Sequence, residues 1–131
     1  MIKFENVTAT YKKNIGIFDI SFNVEPGEMV FVMGPTGSGK STVLKTIYKD
    51  IGIDSGKILI DNKNIHKNSS ISEISHLRRK IGMIFQDFKL LNDRTVFDNV
   101  SLPLRIEGYD SYDIKKLVKE ALIKIDLPSC E

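Results

Sequence analysis

The sequence predicts an α/β fold: a small antiparallel β-subdomain first, then a strand–loop–helix unit, then a helical segment toward the C-terminus. Three observations carry that expectation. Residues 17–24 alternate, with Phe18, Ile20, Phe22 and Val24 separated by Asp19, Ser21 and Asn23, which is the period of a strand with one wet face. Met29-Val30-Phe31-Val32-Met33 is an unbroken apolar run, as in a strand buried on both faces of a parallel sheet. Ile114, Leu117, Val118, Ala121, Leu122 and Ile125 recur at helical spacing, with Lys115, Lys116, Lys119, Glu120 and Lys124 on the other face.

Taken in order, residues 1–10 supply a first strand and 17–24 a second, closed by the Pro26-Gly27 turn. Strand 29–33 runs into a glycine-rich loop, and a helix over 40–48 follows with Val43, Leu44 and Ile47 on one stripe. Asp54-Ser55-Gly56 turns into a strand over 57–60. Residues 61–71 read as loop and 72–80 as a short helix whose end, Arg78-Arg79-Lys80, is expected to be a solvated face. Ile81 to Phe85 is a further apolar strand, ended at Gln86-Asp87. Residues 95–106 are helical with a break or kink expected at Pro103. The 111–125 helix starts on Asp110, a side chain suited to capping its first N–H groups.

Composition sets the class. The chain has 131 residues, 41% hydrophobic and 27% charged, room for one soluble globular domain. A net charge of +2 is too mild for a nucleic-acid partner. No run approaches the ~18 apolar residues of a membrane span, so no direct insertion is expected and any membrane link must come through a partner. The start of the chain has no long apolar segment of a signal peptide. The single cysteine, Cys130, cannot form an internal disulfide and reads as a tail residue in a reducing compartment. His66 and His76 lie ten apart with no cysteine near, a poor zinc set, and both are expected on the surface.

The chemistry concentrates in Gly34-Pro35-Thr36-Gly37-Ser38-Gly39-Lys40-Ser41, which fits the G-x4-G-K-[ST] phosphate-loop pattern. Glycines let the backbone turn tightly and aim several N–H groups at one anion. The helix starting near Gly39 adds the positive end of its dipole. Lys40 can reach the β- and γ-phosphates, and the Ser41 hydroxyl suits Mg²⁺ held otherwise by phosphates. Thr42 can add a hydroxyl near the α-phosphate. The pattern arises by chance in roughly 0.5% of chains of this length. Its setting after an apolar strand and before a helix disfavours an incidental glycine turn further. Asn62-Lys63-Asn64-Ile65 starts like a guanine-recognition motif but lacks its aspartate, so ATP is expected over GTP.

With these residues in place, the chain resembles an ABC-transporter ATPase, and the resemblance covers essentially all of it. Gly34 to Thr42 matches the family's Walker A motif. The resemblance implies an adenine-stacking role for Tyr11, and for Gln86 the role of the Q-loop glutamine, contacting Mg²⁺ or the attacking water. Lys40 and Gln86 are then the expected catalytic residues, with Ser41 and Gln86 at the metal. Leu77-Arg78-Arg79-Lys80-Ile81-Gly82-Met83-Ile84-Phe85-Gln86-Asp87-Phe88, Asp93-Arg94-Thr95-Val96 and Leu102-Pro103-Leu104 resemble the FtsE-like cell-division branch. Lipoprotein-release and macrolide-export ATPases are the alternative. The resemblance implies a cytoplasmic protein, peripheral on the inner face of a bacterial plasma membrane. Its expected partner there is an FtsX-like integral membrane protein, met by the Q-loop region and residues 88–106.

The pattern also departs from the family. No Leu-Ser-Gly-Gly signature, Walker B carboxylates or switch histidine occur in the 131 residues. The expectation is therefore the first part of an ABC ATP-binding domain, an incomplete P-loop NTPase core, which is a truncated product or one part of a longer protein. A homodimer is expected of the full-length form. A phosphate loop alone does not activate water, so these residues are expected to bind ATP and hydrolyse little or none. A catalytically inactive nucleotide-binding module is the corresponding reading for the chain by itself. Met29–Met33 is expected to expose apolar edges.

Overall fold

The computed structural model describes residues 1–13, 15–66 and 69–127; Cys130 lies outside them. The chain forms two compact units, Met1–Ile81 and Gly82–Glu131.

The first unit is built on a four-stranded antiparallel sheet in the order β2-β1-β3-β4. Strand β1 (Ile2–Lys12) lies between β2 (Ile15–Val24) and β3 (Ser55–Ile60), and β4 (Lys63–Asn64) closes a short hairpin on β3. Phe4, Val7, Ala9, Ile17, Val43, Ile58 and Ile65 form its core, with Ile47, Ile51 and Leu77 packed against them. Phe4 and Phe22 stack with ring centroids 4.4 Å apart. Helix α1 (Lys40–Ile47) delivers Val43 to this core, so its N-terminal end is fixed beside the β1–β2 end of the sheet.

Strand β2 does not keep one alternation throughout. Ile20, Phe22 and Val24 turn toward the core side as expected, but Phe18 is exposed and Ile17 is buried in its place. The cause is a bulge. Asp19 sits at φ 49°, and the β1–β2 register shifts between Phe4 and Val7 and again between Val7 and Ala9. An inserted residue moves every side chain beyond it to the opposite face. Asn6 on β1 (φ 48°) holds the bulge by donating from Nδ2 to Asp19 Oδ1 at 2.9 Å.

Helix α2 (Ile71–Arg79) opens on a capping box: the Ser70 hydroxyl accepts from the Glu73 N–H, and the Glu73 carboxylate accepts from the Ser70 N–H at 2.9 Å. Its basic end is not simply solvated. Arg78 donates to the Tyr48 and Lys49 carbonyls at 3.1 Å each, with its guanidinium 4.8 Å from the Tyr48 ring centroid. It thereby satisfies carbonyls at the C-terminal end of α1, which a helix leaves without partners. His66 is half-buried and its Nε2 lies 2.8 Å from the Thr46 carbonyl, contrary to its expected surface position.

The second unit is a helical pair. Thr95 caps α3 (Val96–Glu107) by accepting from the Asp98 N–H, and Gly108 ends it in the left-handed region. Of the break or kink expected at Pro103, the break does not occur: the helix runs through that residue without interruption. Packing outweighs the lost hydrogen bond: Phe97, Val100 and Leu104 of α3 close on Ile114, Val118 and Leu122 of α4 (Ser111–Lys124). Asp110 caps α4 as expected, accepting from the Tyr112 and Asp113 N–H groups at 2.8 and 2.9 Å.

Two expected strands form no ladder. Residues 29–33 and 81–85 pair with no strand among the described residues. Met29, Phe31 and Met33 are 78%, 72% and 86% exposed, which is the apolar exposure expected for this run, and Ile84 is fully open to solvent. A strand interior to a sheet needs hydrogen-bonding neighbours on both sides, and an apolar run alone does not supply them.

Candidate phosphate-binding site

Residues 34–39 carry the chain from the exposed 29–33 run to the start of α1. Gly39 is the N-cap of α1 at φ 94°, and it contributes no side-chain cap. A helix leaves its first four N–H groups without intrahelical partners, so the start of α1 presents donors and the positive end of its dipole to a ligand. Only glycine fits at 39. Beyond its positive φ, a Cβ there would lie 2.6 Å from Ile17 Cγ2.

Lys40, the first residue of α1, folds back across the loop. Its ammonium donates to the Gly34 and Pro35 carbonyls at 2.8 Å and lies 3.4 Å from Ser38 Oγ. The Ser38 N–H donates in turn to the Pro35 carbonyl at 3.2 Å. One cation thus ties the loop into a ring and keeps its charge at the loop's mouth. Pro35, Thr36 and Ser38 are exposed on that ring.

Beside it opens a cavity of about 170 Å³. Gly37, Gly39, Lys40, Ser41 and the buried Thr42 line one side, and Tyr11, Ile15 and Gly16 line the other. No carboxylate is among the lining residues, so the local charge is that of Lys40. The donor set of open helix-end N–H groups, an ammonium and two hydroxyls fits a phosphate group. The Ser41 hydroxyl is a hard oxygen, suited to Mg²⁺.

Tyr11 and the loop residues are therefore brought together, with Tyr11 about half-exposed at the end of β1. Gln86 belongs to the second unit and is exposed in the turn after residues 81–85. Ile15 and Gly16 were not among the residues singled out from sequence. A Cβ at Gly16 would lie 2.1 Å from the Ala9 carbonyl, so glycine there lets β2 approach β1 closely beside the loop. A glycine opening an alternating strand is the signal for such an approach.

The model of the ABC transporter family matches residues 17–130, nearly the whole chain. The chain belongs to the ABC transporter family. Among curated relatives of this ABC protein, the cell division ATP-binding protein FtsE of Escherichia coli (strain K12) is 44% identical over 128 residues, 97% of this chain and 57% of the relative. The methionine import ATP-binding protein MetN of Desulfitobacterium hafniense (strain Y51) is 40% identical over 131 residues, 97% of this chain and 38% of the relative. Among solved structures, a dimeric ATP-binding cassette in a post-hydrolysis state, bound to ADP and Pi, superposes with a TM-score of 0.82 at 35% identity, covering 93% of this chain and 56% of the other. The ABC-type cassette fold is thus shared, and the chain spans a little over half the length of FtsE.

Proposed function

We propose that this ABC protein binds Mg·ATP through residues 34–42, as the nucleotide-binding component of an FtsE-like cell-division system. The observation that carries the binding is the Lys40 ammonium fixed across the loop at the uncapped start of α1. The β- and γ-phosphates replace the Gly34 and Pro35 carbonyls as its partners. Gly37 and Gly39 give close access to backbone N–H groups, Ser41 holds Mg²⁺, and Thr42 faces the α-phosphate region. Tyr11 stacks on the adenine; its exposed ring borders the same cavity. Gln86 serves as the Q-loop glutamine.

The 131 residues are the first part of an ABC ATP-binding domain, carrying Walker A and the Q-loop. The groups that activate water belong to the remaining length that the relatives have, so this chain binds ATP and turns it over little or not at all. The full-length protein acts as a homodimeric ATPase on the cytoplasmic face of the membrane, where an FtsX-like integral protein is its partner. No helix among the described residues is long and apolar enough to cross a membrane. The 44% identity to FtsE favours cell division, and the 40% identity to MetN makes an importer ATPase the second reading.

Calorimetric titration of Mg·ATP tests the site. A hydrogen bond to a charged group is worth about 1.5–3 kcal/mol, so Lys40→Ala is expected to weaken binding by about 10- to 100-fold. Ser41→Ala is expected to weaken binding with Mg²⁺ present and leave it unchanged in EDTA. Equal affinity of Lys40→Ala and the native chain refutes the assignment. Co-purification of the full-length protein with an FtsX-like or a MetN-type membrane partner separates the two readings.

A further inference from the structure

The first unit holds a second cavity, of about 280 Å³, which shares no lining residue with the phosphate loop. Its apolar surface comes from Ile60 and Ile65 on the β3–β4 hairpin and from Ile74 and Leu77 on α2. Around it stand three lysines, Lys49, Lys63 and Lys80, against two acids, Asp61 and Glu73. Both acids are already engaged. Asp61 Oδ1 accepts from the N-terminal ammonium at 3.1 Å. Glu73 accepts from the Ser70 N–H at 2.9 Å and pairs with Lys63 at 3.6 Å. Lys49 and Lys80 form no ion pair within 4.0 Å among the described residues.

Two ammonium groups without an ion pair within 4.0 Å among the described residues therefore border an apolar hollow, Lys49 feeling the Glu73 charge only at longer range. Lys49 is partly desolvated there, and burial holds its pKa below the usual lysine value. An anion arriving at this rim would pair with an ammonium that has already lost part of its water, so less hydration remains to be stripped from Lys49. A purely hydrophilic anion would leave the isoleucine and leucine surface wet, and a neutral apolar molecule would leave the lysines unmatched. The geometry points to a binding site for a compact amphipathic carboxylate, its apolar body against Ile65, Ile74 and Leu77 and its carboxylate held by Lys49 and Lys80. The site is independent of the nucleotide reading, since none of its residues belongs to the loop.

Octanoate is a suitable probe, titrated into the ¹⁵N-labelled chain with octan-1-ol and inorganic phosphate as comparisons. Saturable amide shifts are expected at residues 60–65 and 73–80, with octanoate binding at least about tenfold tighter than either comparison. Lys49→Gln/Lys80→Gln is expected to loosen octanoate at least about tenfold while its spectrum remains that of the folded chain. Ile74→Glu, which places a carboxylate on the apolar wall, is expected to abolish the shifts. Absence of saturation, shifts centred on residues 29–33, octan-1-ol or phosphate binding as tightly as octanoate, or an unchanged affinity in the lysine double variant each overturns the site. The comparison of the three probes on the native chain stands even if a variant fails to fold.

Discussion

At the scale of single residues, the loop's geometry makes demands that can be tested one side chain at a time. Gly39→Ala must place a Cβ 2.6 Å from Ile17 Cγ2 at a φ of +94°, so a core residue or the start of α1 has to shift. Such backbone strain costs about 1–3 kcal/mol, and the expected outcome is weaker Mg·ATP binding together with faster hydrogen exchange at the Val43 amide, whose N–H donates to the Gly39 carbonyl. His66 gives a pH signature. Burial is the largest influence on it and lowers its pKa below 6.5; its bond to the Thr46 carbonyl opposes this, and nearby Lys49 adds to it. The Thr46 oxygen can only accept, so Nε2 carries the proton of the neutral ring. Because the unfolded chain binds a proton at higher pH than the folded one, stability is full above about 6.5 and falls as pH drops from there toward the folded value. Protection factors of the β1 amides, taken against the intrinsic rate that itself slows as pH falls, should drop between about pH 7.5 and 5.5, and His66→Gln, which keeps a donor to Thr46, should flatten that dependence. Glu5, Glu73 and Asp98, all with lowered pKa values, act only in the lower carboxylate range and leave this window clear.

At the scale of elements, what could be read from sequence was whatever a segment determines by itself. Helix α4 forms where Asp110 and the apolar recurrence place it, but of that stripe only Ile114, Val118 and Leu122 are buried, against α3, while Leu117, Ala121 and Ile125 are exposed. The 34–41 loop is largely local as well, its ring closed by Lys40 on the Gly34 and Pro35 carbonyls, although Ile17 of β2 presses on Gly39. Features set by a second segment were not legible. The bulge at Asp19 depends on Asn6 across the ladder, so Phe18 and Ile17 exchange faces with no warning in the alternation. Arg78 reads as a solvated charge until α1 places the Tyr48 and Lys49 carbonyls beside it. Pro103 is tolerated because α4 packs on the same helix. The local and tertiary contributions can be separated by substitution. Asp110→Ala should cost about 1 kcal/mol through the lost cap. Pro103→Ala should instead raise the melting temperature of the helical unit, because it restores a donor inside α3. A lower melting temperature for Pro103→Ala would show that the proline ring is itself needed by its surroundings.

At the scale of the whole molecule, the decisive feature is apolar surface that the chain leaves uncovered. In the first unit the 29–33 run exposes Met29, Phe31 and Met33, and its backbone joins no ladder. In the second, Ile84, Phe88 and Leu90 are exposed as well. An extended apolar segment with unpaired N–H and C=O groups is a template for pairing with another chain. The 131 residues by themselves are therefore expected to associate as concentration rises. Sedimentation velocity over a concentration series measures this directly. Phe31→Lys/Met33→Lys places two charges on the run and should shift the distribution toward monomer. The loop residues proposed to hold Mg·ATP are unchanged in that variant, so its affinity should stay within about twofold of the native chain's. Adding the remaining portion of an ABC domain in trans should suppress association of the native chain and restore ATP turnover that depends on Lys40. A native chain that stays monomeric throughout, melts cooperatively and hydrolyses ATP without that addition would show that residues 29–33 need no cover and that the site is complete as it stands.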